Sequence, residues 1–158
     1  MPKKSPNPNK SVYLKLREER DLTRAEASEL LVYISEDRLE KIENKRSIIQ
    51  PDEVLTMSEK YKAPELCNYY CANECPLGKK FVPEIKVKAI SQIVLEMLAS
   101  LNSMEEKKNK LVSIFLDGKV SPEEEKDFKD IQEELNKMEM AVDTLNLWVD
   151  QMKDNEKS

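Results

Sequence analysis

The feature that most constrains the fold is a run of apolar residues at alternating steps of three and four near the C-terminus. Its members, the second seam, are Phe128, Ile131, Leu135, Met138, Val142, Leu145, Val149 and Met152. This spacing keeps every member on one face of an α-helix. It predicts a helix of about 28 residues, about 42 Å long, that must pack this face against another helix.

A similar run precedes it and supplies the partner helix. The first seam is Ile90, Val94, Met97, Leu101, Met104, Lys108, Leu111 and Phe115, and only Lys108 interrupts it. A short turn at Asp117-Gly118 follows, and Ser121 with Glu124 predicts a capping box that restarts the helix. Because the connection is short, we predict an antiparallel hairpin.

Further apolar positions widen both seams beyond what two helices can cover. They are Ile93, Leu98, Val112, Leu116, Met140, Ala141, Leu147 and Trp148. A second hairpin from another copy of the chain would cover them, so we expect a homodimer. The residues predicted to form its interface are Ile90, Val94, Met97, Leu101, Leu135, Met138, Val142, Leu145 and Trp148.

The helical patterns in the first part of the chain are shorter, and they predict a compact bundle of four or five short helices. A first helix begins at Val12 and ends near Asp21-Leu22, and a capping box from Thr23 to Glu26 opens a second. Ser35 caps a third, and Pro51 starts a fourth. The predicted fold is therefore all-α, divided into a basic tail at 1–10, a bundle at 11–66, a junction at 67–84, the hairpin at 85–153 and a tail at 154–158.

Composition argues against most enzymes. The 158 residues include no histidine and only two glycines, Gly78 and Gly118. Histidine is the usual general base, and phosphate-binding loops need several glycines. We expect no enzymatic activity and no cofactor. No apolar run approaches the roughly 20 residues that cross a bilayer, so we also expect no membrane partner and a cytoplasmic location.

Three cysteines, Cys67, Cys71 and Cys75, follow the spacing C-x3-C-x3-C. On one continuous helix the outer two lie about 12 Å apart along the axis, while each thiolate must reach a shared ion at about 2.3 Å. A shared metal or cluster would need a helix break near Asn73 and a fourth ligand. We interpret the three as small buried thiols at the junction and predict no metal. A metal site and a redox switch are the alternatives.

The bundle resembles the helix-turn-helix domain of phage-repressor and Cro-type (XRE-like) transcriptional regulators. The likeness lies in LKLREERDLTRAEASELL, SEDRLEKIENKR and PDEVLTMSEKY, which cover about 50 residues. The stretch LCNYYCANECPLG and the long helices also look similar to small regulator-like proteins of Gram-positive bacteria and their mobile elements. The resemblance implies that the third helix enters the major groove of double-stranded DNA.

The resemblance also implies roles for individual residues. Base-facing positions are Ser35, Glu36, Asp37, Arg38 and Lys41, and phosphate contacts are Thr23, Arg24, Asn44, Lys45 and Arg46. Arg17 and Glu43 occupy positions that often form a buried ion pair in this family.

The sequence departs from the family pattern at three points. The turn Leu31-Val32-Tyr33-Ile34 lacks the usual glycine, and Lys45 stands where a glycine commonly follows Glu-Asn, although Asn44 can adopt the left-handed conformation instead. The third helix also begins with two acidic residues, which phosphates repel. A protein-binding adaptor on the same scaffold is therefore the alternative to a DNA-binding regulator.

Overall fold

The computed structural model describes residues 10–116 and 119–156, without the side chains of residues 115 and 154–156. These residues form eight α-helices and no β-strand, which confirms the predicted all-α fold. The helices are α1 (Val12–Glu19), α2 (Arg24–Leu31), α3 (Glu36–Glu43), α4 (Pro51–Lys60), α5 (Glu65–Asn73), α6 (Gly78–Phe81), α7 (Ile90–Phe115) and α8 (Glu125–Glu156). Within this part of the chain there are two compact units: one runs to Glu84 and includes the residues from Gln151 on, and the other is Ile85–Asp150.

Several predicted segments fall at the limits of the described residues. The basic tail at 1–10 is described only at Lys10, and the turn residues Asp117 and Gly118 lie outside the described residues. α8 continues to Glu156, which is inside the predicted C-terminal tail.

Local capping explains where the helices of the first unit begin. The Thr23 hydroxyl accepts the Glu26 amide at 3.2 Å, and the Glu26 carboxylate accepts the Thr23 amide at 2.7 Å, so the predicted capping box is formed. The Ser35 hydroxyl accepts the Arg38 amide at 3.3 Å, and Pro51 is the first residue of α4. Each cap satisfies backbone donors that have no partner inside the helix.

Three helices of this unit end in the same backbone motif, in which a left-handed residue follows the last turn. The left-handed residues are Asp21 after α1, Lys45 after α3 and Lys62 after α4, with φ of 52°, 56° and 50°. In each case the next amide donates back to a carbonyl in the last turn: Leu22 to Arg17, Arg46 to Lys41, and Ala63 to Ser58. The motif ends α1 at Glu19, earlier than predicted.

Asn44 does not take the left-handed conformation that the sequence allows it. Its φ is −91°, and Lys45 takes the positive φ instead. The reason is the register of the motif, since the amides of Lys45 and Arg46 must reach back to Ile42 and Lys41.

One hydrophobic core holds the first unit together and extends into the cysteine-containing segment. Its buried members are Tyr13, Leu16, Ala27, Leu31, Ile34, Leu39, Ile42, Ile49, Val54, Met57, Tyr61, Ala63 and Leu66. Cys67, Tyr69 and Tyr70 on α5 pack against this cluster. Gly78 lies so close to α5 that a Cβ there would stand 2.1 Å from the Cys71 carbonyl oxygen, so only glycine fits.

The second unit is the predicted antiparallel pair of long helices. Lys107 on α7 pairs with Glu134 on α8 at 3.4 Å, and Lys110 pairs with Asp127 at 2.8 Å, so the two helices run in opposite directions. Ser121 and Glu124 form the predicted capping box ahead of α8, with distances of 3.0 and 3.3 Å. Within the described residues, none of the helices is long and apolar enough to span a membrane.

The helices are turned relative to the predicted seams. On each helix, buried and half-buried residues at alternating steps of four and three form a line. On α7 the line is Ile93, Met97, Ser100, Met104, Lys107, Leu111 and Ile114. On α8 it is Asp127, Ile131, Glu134, Met138, Ala141, Leu145 and Trp148. The prediction was therefore wrong in placing Val94, Leu101, Leu135 and Val142 on the same line, because all four are exposed. Polar residues hold inward positions instead: Ser100 and Glu134 are buried, and Glu134 has Lys107 as its partner.

The turn between α2 and α3 is strained. Val32 has φ 62° and ψ −49°, and the Tyr33 amide donates to the Leu31 carbonyl at 2.6 Å, which is a three-residue γ-turn of the rare positive-φ kind. A β-branched residue with positive φ is a genuine outlier. The Ser28 hydroxyl donates to the Ile34 carbonyl at 2.9 Å and holds the turn closed. A glycine at this position would carry no such strain.

Replacing Val32 with glycine is expected to raise the free energy of unfolding by about 1 kcal/mol, because the Cβ that opposes this φ is removed. Val32 is 67% exposed, so its side chain contributes little packing. Urea unfolding of the full chain measures the change. Val32→Ala is the matched control, since it keeps a Cβ at the same φ and should recover less. A Val32→Gly protein no more stable than Val32→Ala would contradict the strain.

Candidate nucleic-acid interface

α2 and α3 are joined by a short turn and pack against each other in the first unit. Ala27 and Leu31 on α2 and Leu39 and Ile42 on α3 bury the faces that point into the core. The opposite face of α3 is exposed, as shown by Glu36, Asp37, Lys41 and Asn44. This outer face is the surface that a groove of DNA would meet.

A buried ion pair fixes this outer face relative to α1. The Arg17 Nε donates to Glu43 Oε1 at 2.5 Å and a terminal nitrogen donates to Oε2 at 3.0 Å. Arg17 also donates to the Leu22 carbonyl at 2.6 Å. Glu43 is only 3% exposed, and Arg24 at the start of α2 donates to its Oε2 at 2.9 Å. One carboxylate therefore joins α1, α2 and α3.

Arg17 stays positively charged in this pair. Hydrogen bonding to Glu43 raises the pKa of Arg17 above its usual value, although burial acts in the opposite direction. A bidentate contact of this kind fixes the orientation of both side chains, since two of the arginine nitrogens bond to the two carboxylate oxygens.

Arg38, which the resemblance predicts to face bases, is bound within the protein itself. It donates to both carboxylate oxygens of Glu53 at 2.6 Å, to the Ile48 carbonyl at 2.9 Å and to the Ser47 hydroxyl. Burial acts to raise the pKa of Glu53, but the hydrogen bonds from Arg38 and the Gln50 amide prevail and keep it below its usual value. Arg38 thus ties α3 to the loop before α4 and to α4 itself. No pattern in the sequence indicates this pairing.

The other residues predicted to face bases make fewer contacts within the protein. The Ser35 hydroxyl caps α3, and Glu36 and Asp37 lie exposed at its N-terminal end, where the helix dipole favours negative charge. Lys41 is exposed, and among the described residues it is the cation of this group that no intramolecular contact occupies. The outer face of α3 therefore offers more acceptors than donors.

The predicted phosphate contacts flank α3 on two sides. Thr23 takes part in the capping box of α2, and Arg24 is bonded to Glu43. After α3, Asn44 and Arg46 make exposed contacts with Glu40 at 3.3 and 3.2 Å, while Lys45 is exposed. Exposed pairs of this kind contribute little to stability, so Arg46 is only weakly held.

The residues predicted to form the dimer interface divide into two groups. Met97, Met138, Leu145 and Trp148 are half-buried along the line where α7 meets α8, and Ile90, Val94, Leu101, Leu135 and Val142 are exposed.

Four of the exposed residues lie on one side of the helix pair. Val94 and Leu101 each follow an inward residue of α7 by one position, and Leu135 and Val142 do the same on α8. One position turns a helix by about 100°. Because the helices are antiparallel, the same step turns both toward the same side. We call these four residues the apolar edge.

The three cysteines are free, half-buried thiols. α5 ends at Asn73, so Cys75 lies beyond the helix that carries the other two. Burial raises the pKa of Cys71, and the neighbouring Cys75 and Cys67 add to this, which keeps that thiol protonated and weakly nucleophilic. Throughout residues 10–116 and 119–156, no group of three or more Cys, Asp or Glu is placed to hold a metal ion.

No protein-family model, curated protein or solved structure matches the chain. The likeness to phage-repressor and Cro-type regulators therefore rests on the sequence motifs alone, and function has to be argued from the geometry of the outer face of α3 and of the apolar edge.

Removing one partner of the buried pair is expected to be costly. Arg17→Met should lower the free energy of unfolding by about 3 kcal/mol, because Glu43 stays buried with only Arg24 beside it. The double variant Arg17→Met, Glu43→Leu should recover most of this loss, since it leaves no buried charge. Urea unfolding of both variants and of Glu43→Leu completes the cycle. Equal losses in Arg17→Met and in the double variant would contradict a pair that acts as a unit.

Proposed function

We propose that the chain is a sequence-selective, double-stranded DNA-binding transcriptional regulator that acts as a homodimer. The observation that carries the proposal is the bonding of α1, α2 and α3 to one buried carboxylate, Glu43, which leaves the outer face of α3 exposed and rigidly held. A helix in this position enters the major groove with its N-terminal residues near base edges, while the helix before it crosses the backbone.

The chemistry of α3 favours particular contacts. Glu36 and Asp37 are acceptors, and the cytosine amino group is the donor that the major groove presents to them. Lys41 donates to guanine or to phosphate. Arg38 stabilises the loop that follows α3 and does not read bases, because its donors are already used within the unit.

Phosphate contacts then come from both sides of α3. Thr23 and Arg24, at the start of α2, lie on one side, where the positive end of the helix dipole favours an anion. Lys45 and Arg46, in the turn that ends α3, add two cations. One copy of the first unit, which we call a head, makes two or three phosphate contacts and so has only weak, salt-sensitive binding. A second head on the same molecule raises the affinity through effective concentration.

A second copy of the chain fits the apolar edge. Val94, Leu101, Leu135 and Val142 are exposed leucine and valine side chains along two parallel lines, and a matching edge would remove them from water. The two members of each line are seven residues apart, which is the spacing of helical bundles. Four helices then surround one core, and paired heads would meet half-sites about 34 Å apart on a duplex.

DNA binding is expected to depend on the cations at the end of α3. Duplexes selected from a random pool by the full chain should bind tighter than scrambled ones. The variant Lys41→Ala, Lys45→Ala should lower the slope of log affinity against log salt by about 1 for Lys45, and by about 2 where Lys41 also contacts a phosphate and not guanine. Fluorescence anisotropy between about 50 and about 200 mM salt measures this.

Lys60→Ala is the control for that experiment, because it removes an exposed lysine of α4 away from α3. It should leave affinity and slope unchanged. Failure of the full chain to enrich any sequence, or an unchanged slope in the double variant, would overturn the proposed interface.

Dimerisation is expected to depend on the apolar edge. Leu101→Glu places a charge inside the proposed interface, so the dimer should dissociate at least about tenfold more readily, which is about 1.4 kcal/mol. Leu95→Glu is the matched control. Leu95 is also exposed but lies two positions from Ile93, about 200° round α7, and so faces away from α8.

Sedimentation equilibrium of the full chain and both variants gives the dissociation constants, and far-UV circular dichroism checks that the helices persist. Equal effects of the two substitutions, or a wild-type chain that sediments as a single protomer, would remove the dimer from the proposal.

A protein-binding adaptor is the second candidate, and two observations favour it. The outer face of α3 is acidic once Arg38 is bound to Glu53, and Tyr33 in the preceding turn is 91% exposed. Tyrosine is enriched in protein interfaces, and acidic residues favour a partner of positive charge. An adaptor would enrich no DNA sequence in the selection experiment, so the same measurement decides between the two candidates.

A further inference from the structure

Three cations of the first unit come together from two segments that are distant in sequence. Lys45 and Arg46, in the turn that ends α3, and Lys79 on α6 line one cavity of about 560 Å³. We call these three residues the cation cluster, and all three are exposed. The fold therefore extends the positive surface at the end of α3 onto the cysteine-containing segment.

The backbone that carries Lys79 is fixed to α5. The Lys79 amide donates to the Cys75 carbonyl at 2.9 Å, and the Cys75 amide donates to the Tyr70 carbonyl at 2.9 Å. The close approach of Gly78 to the Cys71 carbonyl leaves no room for a side chain between them. Because Tyr70 packs against the core, the backbone position of Lys79 is set by the fold of the first unit. A binding group on a fixed backbone has less ordering to oppose binding.

The cation cluster has little counter-charge within the protein. In the part of the chain that the structure describes, Lys45 and Lys79 have no ion-pair partner, and Arg46 has only its exposed contact with Glu40 at 3.2 Å. Among the described residues that line the cavity, Glu74 is the only carboxylate. Three like charges in one place repel one another, and a bound polyanion would relieve this repulsion.

The position of the cluster favours a nucleic-acid backbone as the polyanion. Lys45 and Arg46 already belong to the proposed phosphate contacts, and a nucleic-acid strand carries its negative charges at regular intervals along a line. A strand that meets these two residues and continues across the cavity meets Lys79 on the other side.

We propose that Lys79 is a further phosphate contact of the DNA interface, so that the backbone of the duplex passes from the end of α3 onto the cysteine-containing segment. This inference rests on the proposed function and deepens it. It also gives that segment a role, which is to place a cation that α2 and α3 do not supply.

The test uses a duplex selected by the full chain and measures its affinity by fluorescence anisotropy between about 50 and about 200 mM salt. Lys79→Ala should lower the slope of log affinity against log salt by about 1 and weaken binding about fivefold at about 150 mM salt, because one phosphate loses its cation. A scrambled duplex should weaken by the same factor, since a phosphate contact carries no sequence information. Lys79→Arg keeps the charge and should keep both slope and affinity.

Lys80→Ala is the matched control. Lys80 is also an exposed lysine of α6, but it does not line the cavity, and its ammonium lies 5.2 Å from the centre of the Phe81 ring. Its removal should leave slope and affinity unchanged. Urea unfolding without DNA separates binding from folding, because Lys79→Ala relieves repulsion in the cation cluster and should be at least as stable as the natural chain.

The possible results distinguish this inference from the proposed function. A chain that selects a duplex, but whose salt slope is unchanged in Lys79→Ala or equally lowered in Lys80→Ala, would overturn the Lys79 contact alone. A loss of folding stability in Lys79→Ala would also count against it. A chain that selects no duplex would overturn both proposals. If that chain binds polyglutamate instead, and Lys79→Ala weakens this binding, the cation cluster belongs to an acidic protein partner.

Discussion

The buried carboxylate of Glu43 is the constraint on which the first unit depends. Taking a carboxylate out of water is costly by itself, and it is tolerated only when geometry supplies enough donors. Here Arg17 gives two donors and Arg24 a third, so both oxygens are satisfied. Because these partners come from α1 and from the first residue of α2, the position of α3 is fixed by charge geometry as well as by the apolar core.

A second ion pair, between Arg38 and Glu53, has a different consequence. It joins α3 to α4 across the intervening loop, and it also removes the strongest donor from the outer face of α3. An arginine held by its own protein cannot make the bidentate contact with guanine that arginine most often makes in DNA complexes. The remaining outer face is dominated by acceptors, which is why binding by one head would be weak and why a second copy matters to the proposed function.

The sequence predicted much of this arrangement where the cause is local. Capping boxes at Thr23 and Ser121 and the proline at position 51 need only neighbouring residues, and all three are found where they were expected. The rotation of α7 and α8 was not predictable in the same way. Counting apolar residues alone overlooked Ser100 and Glu134, both of which are buried, and Glu134 is accommodated by Lys107 from the other helix. The Arg38–Glu53 pair also depends on segments that meet only in the folded chain.

Backbone strain is found on both sides of α3. The described residues include four non-glycine positions with positive φ, and two of them, Val32 and Lys45, lie shortly before and after α3. Such conformations persist only when surrounding contacts over-determine them. At Val32 the contact is the Ser28 hydroxyl on the Ile34 carbonyl, and at Lys45 it is the pair of amides that reach back to Ile42 and Lys41. Both ends of α3 are therefore held against a local preference by hydrogen bonds between near neighbours in the chain, while its packing is set by the core and by the ion pairs of Glu43 and Arg38.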